Sequence, residues 1–223
     1  MKVFFLMQER DRLYGAERAV QDLLVGLRDS GGCEPIMCFI RERRLRAGGA
    51  VAEAFRRAGI RIRIEPVGSV FSPVLIGRVA GALRSEGAAV LHTIGNKADF
   101  HGWLAALRNG IPQVATVHGW LLRKDFKERA YEWLDRQVLK RCRRVVVLSR
   151  FYHGMLAAAG IPESRLRLIP TGYPPHRFPP EDATAAFPPG FVVGFMGRFS
   201  EEKCPECAIH VMAELKKLVP DAR

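Results

Sequence analysis

Long apolar runs are missing from this 223-residue chain, acidic residues are in deficit, and cysteine is scarce. Each shortage excludes something. No uninterrupted hydrophobic stretch reaches the roughly 18 residues that a helix needs to cross a bilayer. The opening segment Met1–Met7 is apolar but meets Gln8-Glu9-Arg10-Asp11-Arg12 at once. A secretory leader requires a longer apolar centre and a small-residue cleavage site, so the segment reads as a first strand. Five cysteines, an odd number at irregular spacing, form no disulfide framework and fit a cytoplasmic setting. Internal repeats and low-complexity tracts are absent as well, which leaves an ordinary globular chain with ample core.

Against 35 lysines and arginines stand 23 aspartates and glutamates, a formal charge of +12. Such a surplus suits nucleic acid, an anionic membrane surface or phosphorylated small substrates. Nucleic acid is not expected as a partner: there is no paired Cys/His finger, no aromatic–basic run and no polybasic tail. The arginines are spread along helical stretches at Arg41–Arg46, Arg56–Arg63, Arg123–Arg129 and Arg136–Arg144. A solvated basic face and a face turned to anionic headgroups, peripheral at the inner side of a membrane, both fit that spread.

What is present is alternation. Strand-like runs are expected at Lys2–Met7, Pro35–Ile40, Ile60–Ile64, Ala88–His92, Gln113–Val117, Arg144–Leu148 and Leu166–Ile169. Between them lie amphipathic stretches, beginning with Ala16–Arg28, whose Val20, Leu23, Leu24 and Leu27 share one stripe. Continuous apolar strands alternating with helices predict an α/β fold, a doubly wound parallel sheet over residues 1–170. Ligands on such sheets sit at the carboxyl ends of strands, so the loops after strands one, four and five are where chemistry is sought. Residues 171–190 change texture, with Pro174, Pro175, Pro179, Pro180, Pro188 and Pro189, and read as an interdomain linker. Residues 191–223 supply one strand, Phe191–Gly197, and one helix, Pro205–Val219, the start of a second domain.

Four segments carry candidate chemistry. The first is Gly194-Phe195-Met196-Gly197-Arg198-Phe199-Ser200-Glu201-Glu202-Lys203, an apolar run dropping into glycine ahead of a helix. A glycine lets the backbone approach a phosphate, a helix N-terminus adds partial positive charge, and two fixed cations suit a diphosphate. The second is the turn Leu13-Tyr14-Gly15-Ala16-Glu17-Arg18 after strand one, where Glu17 also favours the helix dipole. The third pairs His92-Thr93-Ile94-Gly95-Asn96 with His118-Gly119-Trp120, each histidine at an expected strand end. One such histidine is ordinarily structural; two at equivalent ends point to a cleft. The fourth runs from Val145-Val146-Val147-Leu148-Ser149 to Gly160-Ile161-Pro162 and Leu168-Ile169-Pro170-Thr171-Gly172, with Ser149 a natural helix cap. Cys204-Pro205-Glu206-Cys207 is a rival signal, a dithiol spacing at a helix start. Only 16 residues follow it, too few for a thioredoxin-like domain, and Cys33, Cys38 and Cys142 are too scattered for a zinc site.

Taken in order, the four segments resemble family-four retaining glycosyltransferases of the GT-B type. The resemblance implies a Rossmann-like N-terminal domain and transfer of a sugar from a nucleotide diphosphate sugar to a glycan, lipid-linked or small-molecule acceptor. It implies Arg198, Lys203 and the Gly15 turn as contacts of the donor diphosphate. His118 is implied as the catalytic group beside the reacting carbon, and Tyr14, His92, Asn96 and Trp120 as the acceptor side of the cleft. No metal and no cofactor beyond the nucleotide sugar co-substrate are implied, the two cations doing the metal's work. Tyr14 replaces the family's first glycine, Thr171 its usual asparagine, Tyr173-Pro174 an aliphatic residue and aspartate, and Cys204 the last glycine of the cationic motif. The family's paired glutamates would lie beyond Arg223, so this chain alone is expected to be inactive. The alternative expectations are a non-catalytic binding or scaffolding module of the same fold, and a sugar-nucleotide epimerase.

Overall fold

The computed structural model describes every residue except 44, 46–48, 69, 70, 120–125, 173–189, 198, 200 and 202, and leaves aside the side chains of 126–128. It divides into two compact units, Met1–Tyr173 and Pro174–Arg223. Most of the expected linker, together with Trp120 and Arg198, lies outside the described residues.

The first unit is a seven-stranded, wholly parallel sheet: β1 (Lys2–Gln8), β2 (Glu34–Glu42), β3 (Arg61–Val67), β4 (Val90–Ile94), β5 (Gln113–Val117), β6 (Arg144–Val147) and β7 (Leu166–Leu168), in the order β3-β2-β1-β4-β5-β6-β7. The connecting helices are α1 (Gly15–Asp29), α2 (Ala50–Arg57), α3 (Pro73–Glu86), α4 (Asn96–Asn109), α5 (Phe126–Leu139) and α6 (Arg150–Ala158). β1 shows why the sheet is covered on both sides. Phe4 and Leu6 pack with Leu75, Val79 and Leu83 of α3 and with Ala98 and Ala105 of α4. Val3, Phe5 and Met7 belong to the opposite core, with Val20 and Leu24 of α1 and Val51 and Phe55 of α2. Strand alternation sends successive side chains to opposite faces, so a strand apolar throughout requires two helical layers. A third core, with Val138 and Leu139 of α5 and Leu156 of α6, covers Ala115, Val117, Val145 and Val147.

Local sequence fixes the helix ends. Ser72 accepts from the Leu75 amide at 3.2 Å ahead of Pro73, and Ser149 accepts from the Tyr152 amide at 3.4 Å, the capping role its position suggested. α4 packs against the sheet at a point where position 102 is glycine. A Cβ there would come within 2.6 Å of Thr93 Cγ2 and 3.1 Å of Leu91 Cδ2.

Two expectations shift. β4 spans Val90–Ile94 rather than Ala88–His92: the Ala88 amide still closes the end of α3 on Leu83 O, and pairing with β1 begins only with the Ala89 amide on Lys2 O, both at 3.0 Å. His92 is therefore inside the strand, opposite Phe5, and not at its end. The expected strand 191–197 is not one among the described residues of the second unit. A strand is defined by its ladder, and among the described residues this segment has the backbone bonds Val193 N to Arg223 O and Arg223 N to Phe191 O with no neighbouring strand to extend them. The helix that follows, α7 (Pro205–Leu218), is present as expected. No described helix is long and apolar enough to cross a membrane.

A Gly102→Ala substitution should destabilise the first unit by about 1–3 kcal/mol through overpacking against Thr93 and Leu91, although alanine is the better helix former. Urea unfolding checks this; an unchanged or raised midpoint would show that α4 can move off the sheet freely.

Candidate active site

Strand order reverses on either side of β1, where β2 and β4 flank it and their chains leave in opposite directions. A cleft of about 180 Å³ opens at the carboxyl ends there. The end of β1 and the start of α1 (Gln8, Arg10, Ala16, Glu17) form one wall. The β4–α4 turn (Gly95, Asn96, Lys97, Asp99) and the end of β5 (Thr116, His118, Gly119) form the rest, with Asp135 of α5.

His118 is half-buried at the mouth of β5, and burial lowers its imidazole pKa below the ordinary value. The chain just after it is tightly held. Gly119 has φ +125, and a Cβ there would meet Tyr152 Oη at 2.6 Å, so only glycine lets the backbone turn beneath that ring. His92 does not line the cleft. Its Nε2 bonds Thr116 Oγ1 at 2.7 Å and its ring stacks on Phe5 at 4.8 Å, a brace behind the cleft wall. Burial, with a contribution from His118, pushes its pKa down to about 4, so the ring is neutral at physiological pH.

Gly15 opens α1, and nothing lies within 4 Å of where its Cβ would be, so space stands beside the backbone at that turn. Glu17 is spent on the fold: its carboxylate accepts the Tyr14 amide at 3.1 Å. Tyr14 caps the helix with its hydroxyl 3.3 Å from Asp11 and is not among the cleft residues. Asn96 is exposed in the cleft. Lys203, just ahead of α7, is exposed on the second unit, and its Cγ lies 3.7 Å from a Cβ built on Gly197.

Sequence reasoning missed the polar floor. Lys97 pairs with Glu42 at 2.6 Å, and Glu42 also accepts from Gln8 at 2.8 Å, joining the ends of β1, β2 and α4. Deeper, Thr93 donates its hydroxyl to the Asp99 carboxylate, while Gln113 Nε2 donates to Thr93 Oγ1 at 2.8 Å and to the Asp99 carbonyl at 3.1 Å. Asp99 and Asp135 are both buried and face each other, so two charges cannot coexist there. Burial first, and the Asp135 charge second, raise the Asp99 pKa well above the ordinary value. The legible signal was an aspartate on the apolar stripe of α4, beside Ala98, Gly102 and Ala105, a place where a carboxyl stays only if satisfied.

A doubly wound parallel sheet with a polar cleft at its switch point defines an α/β protein of the Rossmann-like class. The profile of Glycosyltransferase Family 4 matches residues 14–177, and the chain belongs to that family. No curated protein sequence matches it closely. Among solved structures, Anabaena Alr3699/HepE in complex with UDP superposes with TM-score 0.61 at 18% identity, over 78% of this chain and 44% of that one. A Rickettsia africae glycosyltransferase gives 0.59 at 17%, over 81% and 47%. The UDP-GlcNAc 2-epimerase of Methanocaldococcus jannaschii gives 0.56 at 12%, over 75% and 45%. At these identities the likeness establishes the GT-B fold, and the chain spans less than half the length of each.

The buried carboxyl pair makes stability depend on pH with a definite sign. Folded Asp99 keeps a proton that the unfolded chain releases above about pH 4, so its contribution falls as pH rises, by about 1.4 kcal/mol per pH unit for a full proton. His92 and His118, with lowered pKa values, act oppositely below about pH 6.5, and comparison with Asp99→Asn removes their share. Between about pH 5 and about pH 8 the wild type should lose more unfolding free energy than Asp99→Asn. Parallel pH profiles would mean that Asp99 is ionised in the fold.

Proposed function

We propose that this chain supplies the acceptor-side domain and the beginning of the donor-side domain of a retaining glycosyltransferase. The substrate is a nucleotide diphosphate sugar, and the product a glycoside of a hydroxyl acceptor in cell-envelope glycan synthesis. The observation that carries the reading is the cleft at the β1/β4 switch, with His118 at its rim and open space beside Gly15. HepE, similar in fold, is a structure with UDP, which supports a uridine nucleotide as the first donor to try.

In this reading the diphosphate is held by Lys203 and Arg198, which neutralise charge growing on the leaving group without a metal. The Gly15 turn offers backbone amides at the start of α1 to a phosphate. His118, kept neutral by burial, hydrogen-bonds a sugar hydroxyl beside the reacting carbon, and neutrality matters because a charged imidazole would compete with the cations for phosphate. The acceptor hydroxyl enters past Asn96 and attacks from the face the diphosphate leaves, so configuration is retained; the family resemblance adds Trp120 to the acceptor side. Turnover requires a second domain to close over the cleft and exclude water, and the 223 residues alone are expected to show little.

In a protein carrying both complete domains, Lys203→Ala and His118→Ala should each lower kcat by roughly a hundredfold or more, with acceptor KM little changed. Release of nucleoside diphosphate measures this. Wild-type turnover in either variant would sink the assignment of that residue, and absence of any nucleotide-sugar turnover would favour the binding-module reading.

The +12 charge suits a cytoplasmic protein working at an anionic surface on a lipid-linked acceptor. The chain should co-sediment with vesicles rich in anionic lipid at low salt and be released as salt rises. Equal recovery with neutral vesicles would remove the membrane from the account.

A further inference from the structure

We propose that Cys204 and Cys207 are a thiol–disulfide exchange site whose substrates are a low-molecular-weight thiol and its disulfide, of the glutathione class. The two residues are joined by a disulfide, with Cα atoms 5.3 Å apart, inside a single helical turn in which the Cys207 amide also bonds the Cys204 carbonyl at 2.9 Å. Such a bond ties together no separate elements. It can open and close without disturbing a core, which distinguishes an exchangeable bond from a structural staple.

Position gives the two sulfurs different roles. Cys204 is the N-cap of α7, a 14-residue helix, and Cys207 lies in its first turn. Amides at a helix N-terminus stabilise a thiolate, and the adjacent Lys203 adds a cation, while Glu201 and Glu206 partly oppose it. Pro205 follows at the first helical position and has no amide hydrogen of its own, which fixes the chain direction out of the cap. Cys204 is half-buried and Cys207 exposed, so an attacking disulfide can reach the pair. The remaining cysteines are poor competitors. Cys38 and Cys142 are buried, and burial pushes both thiols up; Cys33 is half-buried, with no helix N-terminus beside it.

Cys204 also has φ +43, the sole positive φ at a non-glycine among the described residues. Such a conformation is disfavoured for a residue with a side chain. The cross-link to Cys207 spans this same turn between Lys203 and α7, so its cleavage removes one of the turn's constraints. Any effect of that release on diphosphate binding rests on the function proposed above; the exchange chemistry does not.

The chemistry balances with the named co-reactant. The Cys204 thiolate attacks one sulfur of glutathione disulfide, forming a mixed disulfide and expelling one glutathione thiolate. The Cys207 thiolate then attacks Cys204 Sγ and expels the second. The protein dithiol loses two electrons and two protons, and one disulfide becomes two thiols.

The test uses the 223-residue chain in buffers of varied ratio of reduced to oxidised glutathione, quenched in acid, labelled with a maleimide and read by peptide mass. The 204–207 peptide should pass from two labels to none as the ratio falls, while Cys38 and Cys142 keep their thiols. Cys207→Ser should trap one glutathione on Cys204, and Cys204→Ser should take up glutathione at Cys207 roughly tenfold more slowly. Circular dichroism of both variants verifies that α7 is intact. A pair that stays oxidised in excess reduced glutathione, a Cys33 that reacts as fast, or equal uptake by the two variants would overturn the proposal. No nucleotide sugar is present, so neither result bears on the transferase reading.

Discussion

Everything in the first unit hangs on the double-sided burial of β1. Phe4, Phe5 and Leu6 are fully buried, and their alternation commits α1 and α2 to one face and α3 and α4 to the other. A strand buried on both faces sits in the middle of a parallel sheet, and a parallel sheet wound both ways from its middle strand leaves a crevice at the carboxyl ends. The cleft follows from that constraint before any polar residue is chosen. Gln8 and Lys97 then both bond Glu42, so the ends of β1 and β2 and the start of α4 are tied together beside the crevice.

The site is a compromise between packing and polarity. Asp99 faces the sheet from a helix that packs tightly through Gly102, and it can stay there because Thr93 and Gln113 bond it and a proton is retained with Asp135. His92 is treated in the same way, neutral and tied to Thr116. Both groups give the cleft a buried, hydrogen-bonded back wall, a setting in which fixed dipoles are more effective than in water. His118, only half-buried at the mouth, is the imidazole left accessible to a ligand.

The sheet was legible because its strands are apolar runs separated by glycine and capped helices, and Ser149 capped the helix it was expected to cap. The position of His92 was misjudged by two residues, since nothing local marks that the Ala88 amide still bonds back to Leu83 before pairing with β1 begins at Ala89. A strand at 191–197 was legible as a pattern, but a ladder needs neighbours, and hydrogen-bond partners cannot be read from one segment. The Lys97–Glu42 and Asp99–Asp135 pairs were not legible because their members are far apart in sequence and meet only when β1, β2, α4 and α5 converge. The resemblance to family-four enzymes supplied His118 and the cationic motif; the buried carboxyls came from the structure alone.

The most direct test of the account is the anomeric configuration of the product formed from a nucleotide diphosphate sugar by a protein with both domains complete, read by proton NMR during the reaction. The account requires a glycoside with the donor's configuration, formed only when an acceptor is present. An inverted glycoside, or a nucleotide sugar epimerised with no acceptor added, would contradict it.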